Sequence, residues 1–343
     1  MKILVTGNNG YIGTVLTKAL LEKGYEVVGF DAGYYQGCEL ENSGFEVRQI
    51  RKDIREASKD DLKGIEAIIH LAALSNDPLG EFNPKLTYEI NYLATVNLAK
   101  LAKKAGVKRF IYSSSQSMYG ISKTDEELDE DNSLKNPLTA YAKTKWDAEC
   151  GLKKLGSDNF IVVCFRPSTV FGPSPNFRVD IVFNNLVASA YTTGKIEIKS
   201  DGTPWRPIVH IKDVCQAFIA GLEAPKELVA GQSFNVGIKN GNYTIKQLAE
   251  AAKEVVPGSS LIFSGEHGDD SRTYRISFKK ILTVLKDYYK PEWDLIRGGK
   301  ELVEFFKRVG FTEEMFRGRT CNRLAQLKYL VENQKLDKNL LWK

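Results

Sequence analysis

The chain of 343 residues predicts an α/β fold, a doubly wound parallel sheet with a smaller mixed α/β lobe after it. Three observations carry the expectation. Apolar runs of strand length alternate with helical patterns through the first half, as they do where parallel strands are joined by crossover helices. The opening run "KILVTG" passes directly into a glycine-spaced turn and a helix. After Gly172 the pattern changes to short strands and amphipathic helices in irregular succession.

In chain order, "KILVTG" is the first strand and 11–23 the first helix. "YEVVGFD", "FEVRQI", "AIIHLAA", "RFIYSSS" and "FIVVCFRP" come next as strands two to six, with long helical patterns at 84–105 and 141–155 between the last three. "QSFNVG" reads as a strand returning to the sheet edge. The second half offers "PSPN", a helix near 180–192, the strand "KIEIKS", and helices at 245–255, 278–286, 299–309 and 322–332. The division expected is 1–172 for the sheet domain and 173–343 for the lobe, with segments near 205–220 and 232–237 returning to the sheet. The acidic run "TDEELDEDN" (124–132) reads as an exposed loop.

Composition narrows the class. With 43% hydrophobic residues the chain fills one large or two modest cores. No apolar stretch approaches the roughly 20 residues that cross a bilayer, and no cleavable signal precedes the first strand. The five cysteines are scattered, without a CxxC pair, which points to reduced thiols in a cytoplasm. The three histidines lie far apart, against a protein-built zinc site. The net charge of +5 sits mostly in residues 299–343, where ten Lys/Arg stand against six Asp/Glu. A solvated helical surface accounts for it better than a nucleic-acid patch, which carries a higher pI and interleaved aromatics.

Gly7, Gly10 and Gly13 come after the first strand at a spacing of three. A strand that must turn sharply into a helix needs Gly7. Backbone approaching a pyrophosphate needs Gly10, and a helix packed closely on the sheet needs Gly13. The helix start presents free N–H groups and the positive end of its dipole to the phosphates. Asp31 ends the second strand, 18 residues beyond Gly13, where a carboxylate accepts from adenosine ribose hydroxyls. It would repel a 2′-phosphate, and "DAGYYQG" brings no arginine to offset that, so the cofactor expected is NAD rather than NADP.

"PLTAYAKTKWDAE" places Tyr141 and Lys145 one helical turn apart on one face. An ammonium beside a phenol lowers the phenol's pKa from about 10 toward neutrality and lets it exchange a proton with an alcohol or carbonyl. On these residues alone an ordinary surface Tyr/Lys pair stays open. "YSSSQSMYG" adds Ser113, Ser114 and Ser115 at the end of a parallel strand, where such folds put their chemistry. At least one of the three serves as a cap or turn residue.

Together these motifs resemble the extended short-chain dehydrogenase/reductases that act on nucleotide sugars. "TGNNGYIG" is similar to TGxxGxxG, "HLAA" (70–73) to the strand beside the dinucleotide, "YSSSQSMYG" to YSSSxxVYG and "YAKTK" to YxxxK. "FRPSTVFGP" (165–173) and "WRPIVHIKD" (205–213) match two later segments. The resemblance spans nearly the whole chain and implies a Rossmann-type sheet carrying NAD, with a nucleotide-sugar-binding lobe. It implies that Tyr141 is the acid/base, that Lys145 holds the nicotinamide ribose and tunes Tyr141, and that Ser115 is the catalytic serine. The cofactor would meet Gly7, Gly10, Tyr11, Ile12 and Gly13 in the turn, then Asp31, Asp53 (the adenine-contacting acid), Ile54, Leu71, Ala72, Ala73, Ser113 and Pro167. The sugar nucleotide would meet Ser75, Ser115, Gln116, Ser117 and Thr169. Arg206 would grip its phosphates by the planar fork of arginine. Arg178 and Arg272 are possible second grips, with ion pairing the competing reading for both.

Members of this family differ in the step taken after oxidation at sugar C4. In 4,6-dehydratases an Asp-Glu pair comes directly after the catalytic Ser/Thr; here those positions are Gln116 and Ser117, which disfavours dehydration. An NAD-dependent 4-epimerase acting through a 4-keto intermediate is the first expectation. A 4-dehydrogenase or 4-ketoreductase running half the cycle is the alternative, kept open because Thr169 stands where an Asn is frequent and because 74–84 is a proline-interrupted loop of unassigned role. A non-catalytic dinucleotide sensor is disfavoured by the retained Tyr/Lys pair. The resemblance also implies a homodimer through the two long helices, whose first carries Leu93, Val96, Leu98 and Leu101. Packing of that stripe on its own sheet is the other reading.

Overall fold

Seven parallel strands make the central sheet: β1 (Lys2–Thr6), β2 (Glu26–Asp31), β3 (Arg48–Arg51), β4 (Ala67–His70), β5 (Arg109–Ser113), β6 (Ile161–Pro167) and β7 (Ser233–Val236). Their order is β7-β6-β5-β4-β1-β2-β3, and every pairing is parallel. The computed structural model describes residues 1–121, 126–198, 200–263 and 273–343. The helices of ten residues or more are α1 (Tyr11–Glu22), α2 (Ala94–Ala105), α3 (Ala140–Lys153), α4 (Val182–Thr193), α5 (Ile211–Glu223), α6 (Ile245–Val255), α7 (Leu295–Val309) and α8 (Arg323–Glu332).

The topology follows from strand composition. β4 is buried throughout, and β1, β5 and β6 beyond their first residue, which is why they read as continuous apolar runs rather than alternating ones. β3 is the edge and carries exposed Arg48 and Gln49, charge and polarity that discourage further pairing. On one face α1 and α5 bury Leu16, Leu20, Val214 and Phe218 against Ile3, Val5, Ile111 and Phe165. On the other, α2, α3 and α8 bury Leu98, Leu152 and Leu327 against Leu4, Ile68, Phe110 and Val162. The chain runs outward from β1 to β3, then crosses to β4 on the other side of β1. That reversal opens a crevice at the strands' C-terminal ends.

"QSFNVG" does return to the sheet, as β7 beside β6. The run 205–210 does not. It pairs with Thr169–Phe171 and Asn242–Thr244 in a separate three-stranded sheet, while α5, the next element, covers the central sheet. Because Thr169–Phe171 continues the path of β6, residues 167–169 pass from sheet to lobe along the crevice wall. The lobe packs α4, α6 and α7 around Phe177, Phe183, Phe305, Phe306 and Phe311.

Three further expectations change. The segment 84–105 is not one regular helix: Pro84–Tyr88 leads into a π-helical turn, Glu89–Leu93, before α2. The widened turn surrounds Asn91, whose buried side chain accepts from the Leu74 N–H at 2.8 Å and donates to the Leu74 carbonyl at 3.1 Å. The run 74–84 is not all loop but holds a short helix, Asp77–Phe82. The described part of the acidic run is exposed at Glu126, Glu127, Asp131 and Asn132 but is not all loop: Glu127–Leu128 pairs with Arg275–Ile276, and buried Glu130 accepts from the Asn235 N–H at 2.7 Å.

Candidate active site

The C-terminal ends of β1, β2, β4, β5 and β6 open into a cleft of about 520 Å³. It collects every predicted site residue except Arg272, which lies outside the described residues. Residues from positions 7 to 206 reach it from the strand ends and the turns after them, from the first turn of α1, from α3 and from the lobe segments facing the strand ends.

The three glycines divide their work. Gly7 has φ +72°, and a Cβ there would lie 2.9 Å from the Ala72 nitrogen. A Cβ on Gly13 would lie 2.0 Å from the Gly7 carbonyl oxygen. Both are dictated by close chain packing. A Cβ on Gly10 would meet only the Gly7 oxygen, at 3.1 Å, with the remaining space open. Gly10 is also the N-cap of α1 and supplies no side-chain cap, so the first N–H groups of the helix keep their capacity for an anion. This cradle fits a dinucleotide's pyrophosphate. At the end of β2, Asp31 accepts from Gly33 N–H at 2.7 Å and Asn9 N–H at 3.2 Å, one donor per oxygen, which leaves lone pairs for ribose hydroxyls. Burial pushes its carboxyl up, against those two hydrogen bonds.

Asp53 lines the cleft but is committed. Its carboxylate accepts from the N–H, Nε and Nη2 of Arg55 at 2.8, 2.8 and 2.9 Å and from the Tyr34 hydroxyl at 2.8 Å. Burial would raise its pKa, but these contacts hold it below the usual carboxylate range. The backbone of residues 71–73 is held from behind by a polar chain. Thr6 Oγ1 accepts from Leu71 and Ala72 N–H, each at 3.2 Å, and so gives its own proton to His70 Nδ1 at 2.6 Å. His70 Nε2 then donates to Thr95 Oγ1 at 2.7 Å. Burial pushes His70 down to about 3, so it stays neutral.

At the other end of the cleft, the predicted catalytic helix is α3. Thr139 caps it, accepting from Ala142 N–H at 3.2 Å and donating its hydroxyl proton to Asp77. Glu81 accepts from Ala140 N–H at 2.7 Å. The short helix Asp77–Phe82 thus anchors the start of α3, which gives the unassigned stretch its role. Gly80 makes this possible, since a Cβ there would lie 2.9 Å from Tyr141 Cβ and 3.1 Å from its nitrogen. Gly80→Ala is expected to displace Tyr141 by tenths of an ångström and to lower kcat about 10- to 100-fold with cofactor affinity retained. An unchanged kcat in a folded variant would mean that the contact relaxes without moving the phenol.

The three serines separate by function. The Ser113 carbonyl accepts from Lys145 Nζ at 2.7 Å. Ser114 turns inward and donates to Glu149 at 2.7 Å. Ser115 faces the cleft and hydrogen-bonds with Tyr141. The expected lowering of the Tyr141 pKa is corrected. Burial pushes the phenol up to about 12, only partly offset by Ser115, and burial takes Lys145 down to about 7. Lys145 Nζ spends a proton on the Ser113 carbonyl and stands 5.9 Å from the Tyr141 ring centroid. Desolvation is the largest cause for both groups.

On the lobe side, Arg178 is not a free grip. Its guanidinium forks onto Asp180 at 2.8 and 3.0 Å and reaches Ser75 Oγ at 3.1 Å and the Ser75 carbonyl at 3.2 Å. Arg206 lines the cleft and donates to the Trp205 carbonyl at 2.9 Å. Gln116 donates to the Arg166 carbonyl at 2.9 Å, and Ser117 Oγ lies 3.2 Å from Ser115 Oγ. Tyr34, Tyr35, Asn76, Asp180, Tyr274 and Arg323 also line the cleft. Sequence reading missed them because no motif or periodicity marks them; Asp180, two residues after Arg178, is the one whose charge and spacing offered a signal.

A dinucleotide crevice with a Tyr/Lys pair and a serine at its far end defines the short-chain dehydrogenase/reductase class, here with the added lobe of its extended branch. Residues 3–237 match the model of the NAD dependent epimerase/dehydratase family, and the chain belongs to that family of NAD-dependent enzymes. It is 29% identical over 326 residues to a UDP-glucose 4-epimerase of Mycolicibacterium smegmatis, covering 90% of this chain and 99% of the relative. It is 26% identical over 329 residues to UDP-glucuronic acid decarboxylase 1 of Arabidopsis thaliana, covering 93% and 72%. Among solved structures, MoeE5 in complex with UDP-glucuronic acid and NAD superposes with a TM-score of 0.77 at 27% identity, covering 90% of this chain and 99% of that one. No helix among the described residues is long and apolar enough to cross a membrane.

Proposed function

We propose that the protein is a nucleotide-sugar 4-epimerase that works through a 4-keto intermediate. One observation carries the reading. Tyr141, Lys145 and Ser115 converge at one end of the cleft, while the next two positions are Gln116 and Ser117, neither able to act as a carboxylate acid or base. Such a site suits reversible proton transfer at a single hydroxyl. It lacks at these positions the second acid/base pair that elimination of water requires.

Gly7, Gly10, Gly13, Asp31 and Lys145 would hold NAD, which in its oxidised form supplies a hydride acceptor and a positive charge. The chain's residues handle the proton. Ser115 orients the C4 oxygen toward Tyr141; Tyr141 takes its proton and returns it to the same oxygen after the keto sugar has turned its other face. Each positive charge entering this buried site favours the phenolate. Arg206 is the proposed phosphate grip for the sugar nucleotide. Thr169, where an Asn is frequent, keeps a half-cycle 4-dehydrogenase or 4-ketoreductase as the second reading. The proposal includes a cytoplasmic setting and a homodimer: Tyr88 and Leu93, in the segment leading into α2, are 44% and 47% exposed, whereas Leu98 faces its own sheet.

The test is mass spectrometry of small molecules bound to the purified protein, then incubation with UDP-glucose, UDP-glucuronic acid and other nucleotide hexoses in deuterated water. The expected result is retained NAD and a C4 epimer without solvent deuterium in the product. Stoichiometric NADH would select the half cycle. Deuterium at C3 or C5 would show enolisation of the keto sugar and overturn simple epimerisation.

A further inference from the structure

One arginine of the basic C-terminal region is not a surface charge. Arg323, in the first turn of α8, is 2% exposed and lines the cleft. Its Nη2 donates to the Asn176 carbonyl at 2.6 Å, and its guanidinium lies 4.3 Å from the centroid of the Tyr35 ring. Its Nη1 has no hydrogen-bond partner among the described residues. It makes no direct ion pair among those residues: Asp180 pairs with Arg178, and the carboxylates of Asp180 and Asp31 act on Arg323 only from farther away.

Its supports locate it within the cleft. Asn176 is fully buried. Its Nδ2 donates to the Asn9 carbonyl at 2.7 Å, while its Oδ1 is unpartnered among the described residues. Asn9 immediately precedes Gly10, and its N–H holds Asp31 at 3.2 Å. Tyr35 belongs to the segment after β2. Arg323 is therefore tied to the glycine turn and to the end of β2, the two features that cradle the adenosine half of a dinucleotide. A guanidinium taken out of water without a directly paired carboxylate, beside a second cation in Arg178, is costly. A ligand anion at this place would relieve that cost.

We propose that Arg323 is a binding residue for the diphosphate of the adenine dinucleotide, supplied by the C-terminal helix opposite the Gly7–Gly13 turn. The turn contributes N–H donors and a helix dipole, and Arg323 the full positive charge that they lack. The proposal rests on the assignment of NAD to this cleft.

Calorimetric titration of wild type, Arg323→Gln and Arg323→Lys, each first freed of co-purified dinucleotide, with adenosine, ADP and UDP tests it without turnover. Arg323→Gln is expected to weaken ADP binding about 10- to 100-fold and to leave adenosine and UDP unaffected. Arg323→Lys, which keeps a cation but not the fork, carries the test if the Gln variant does not fold; a smaller loss confined to ADP is expected from it. Equal losses for adenosine and ADP would reduce Arg323 to shaping the pocket and overturn the proposal, as would unchanged ADP binding in either folded variant. A loss confined to UDP would move the anion to the sugar nucleotide and overturn it too. Failure of the wild-type protein to bind ADP or NAD would overturn the cofactor assignment itself, and this inference with it.

Discussion

Tyr141→Phe is expected to lower kcat by about 10²–10⁴-fold, with NAD affinity nearly unchanged. The substitution removes one oxygen and leaves the backbone and Cβ that face Gly80 in place. The phenol is half-buried in the cleft wall, and desolvation pushes it up to about 12, so at neutral pH it carries its proton and is ready to donate it to a carbonyl. To act as a base it depends on positive charge in the site. Lys145, held down to about 7, supplies that charge fully only below neutrality. The measurement is steady-state turnover beside a fluorescence titration of NADH. A fully active Phe variant would remove the proton-transfer role and with it the proposed chemistry.

Glu149→Ala is expected to destabilise the protein by about 3–5 kcal/mol, because it strands a buried charge. Glu149 and Arg166 are 0% and 1% exposed. Arg166 Nη2 and Nε reach the two carboxylate oxygens at 2.6 and 3.1 Å, and Ser114 and Ser233 donate to the same carboxylate at 2.7 and 2.6 Å. The network joins α3, the end of β5, β6 and β7 behind the proposed catalytic residues. Burial alone would raise the Glu149 pKa, but Arg166 and the serine donor hold it below the ordinary value. Its contribution is therefore present above the unfolded value of about 4.3 and lost as pH falls through the folded value. In urea unfolding, the gap between wild type and Glu149→Gln should stay constant above about pH 5 and narrow below pH 4. A gap that widens on acidification would reverse the assignment. Replacing both partners with methionine is expected to recover much of the loss, since the penalty lies in the unpaired charge rather than in the absence of the pair.

These two predictions differ in how far the sequence alone reaches. Tyr141 and Lys145 were legible because a helix fixes i and i+4 on one face whatever surrounds them. The glycine turn was legible because its demands are local: a positive φ at Gly7 and no room for a Cβ at Gly13. The strands of the parallel sheet were legible because burial on both faces leaves continuous apolar runs. The Glu149–Arg166 pair was not, because its partners stand 17 residues apart on different elements and nothing local marks either as buried. The short helix that anchors α3 was hidden by Pro78, which sits in the first turn where a helix tolerates it. The π-helical turn at Asn91 was hidden because a side chain drawn to Leu74 causes it, not the helix's own periodicity.

By itself, then, the sequence determined the order of most strands and helices, the glycine turn with Asp31 at the end of the next strand, and the placing of Tyr141 and Lys145, the pair proposed to transfer the proton, on one helix face. These are consequences of short-range geometry, written in the spacing of a few residues. Only the tertiary structure decided the directions in which Tyr141 and Lys145 are shifted, the capture of Arg178 by Asp180 and Ser75, the filling of the Asp53 carboxylate by Arg55 and Tyr34, and the arrival of Arg323 beside Asn176 and Tyr35. Each of these depends on which distant groups share a desolvated space. Desolvation and charge pairing act through distance in the folded molecule, which the separation of residues along the chain does not encode.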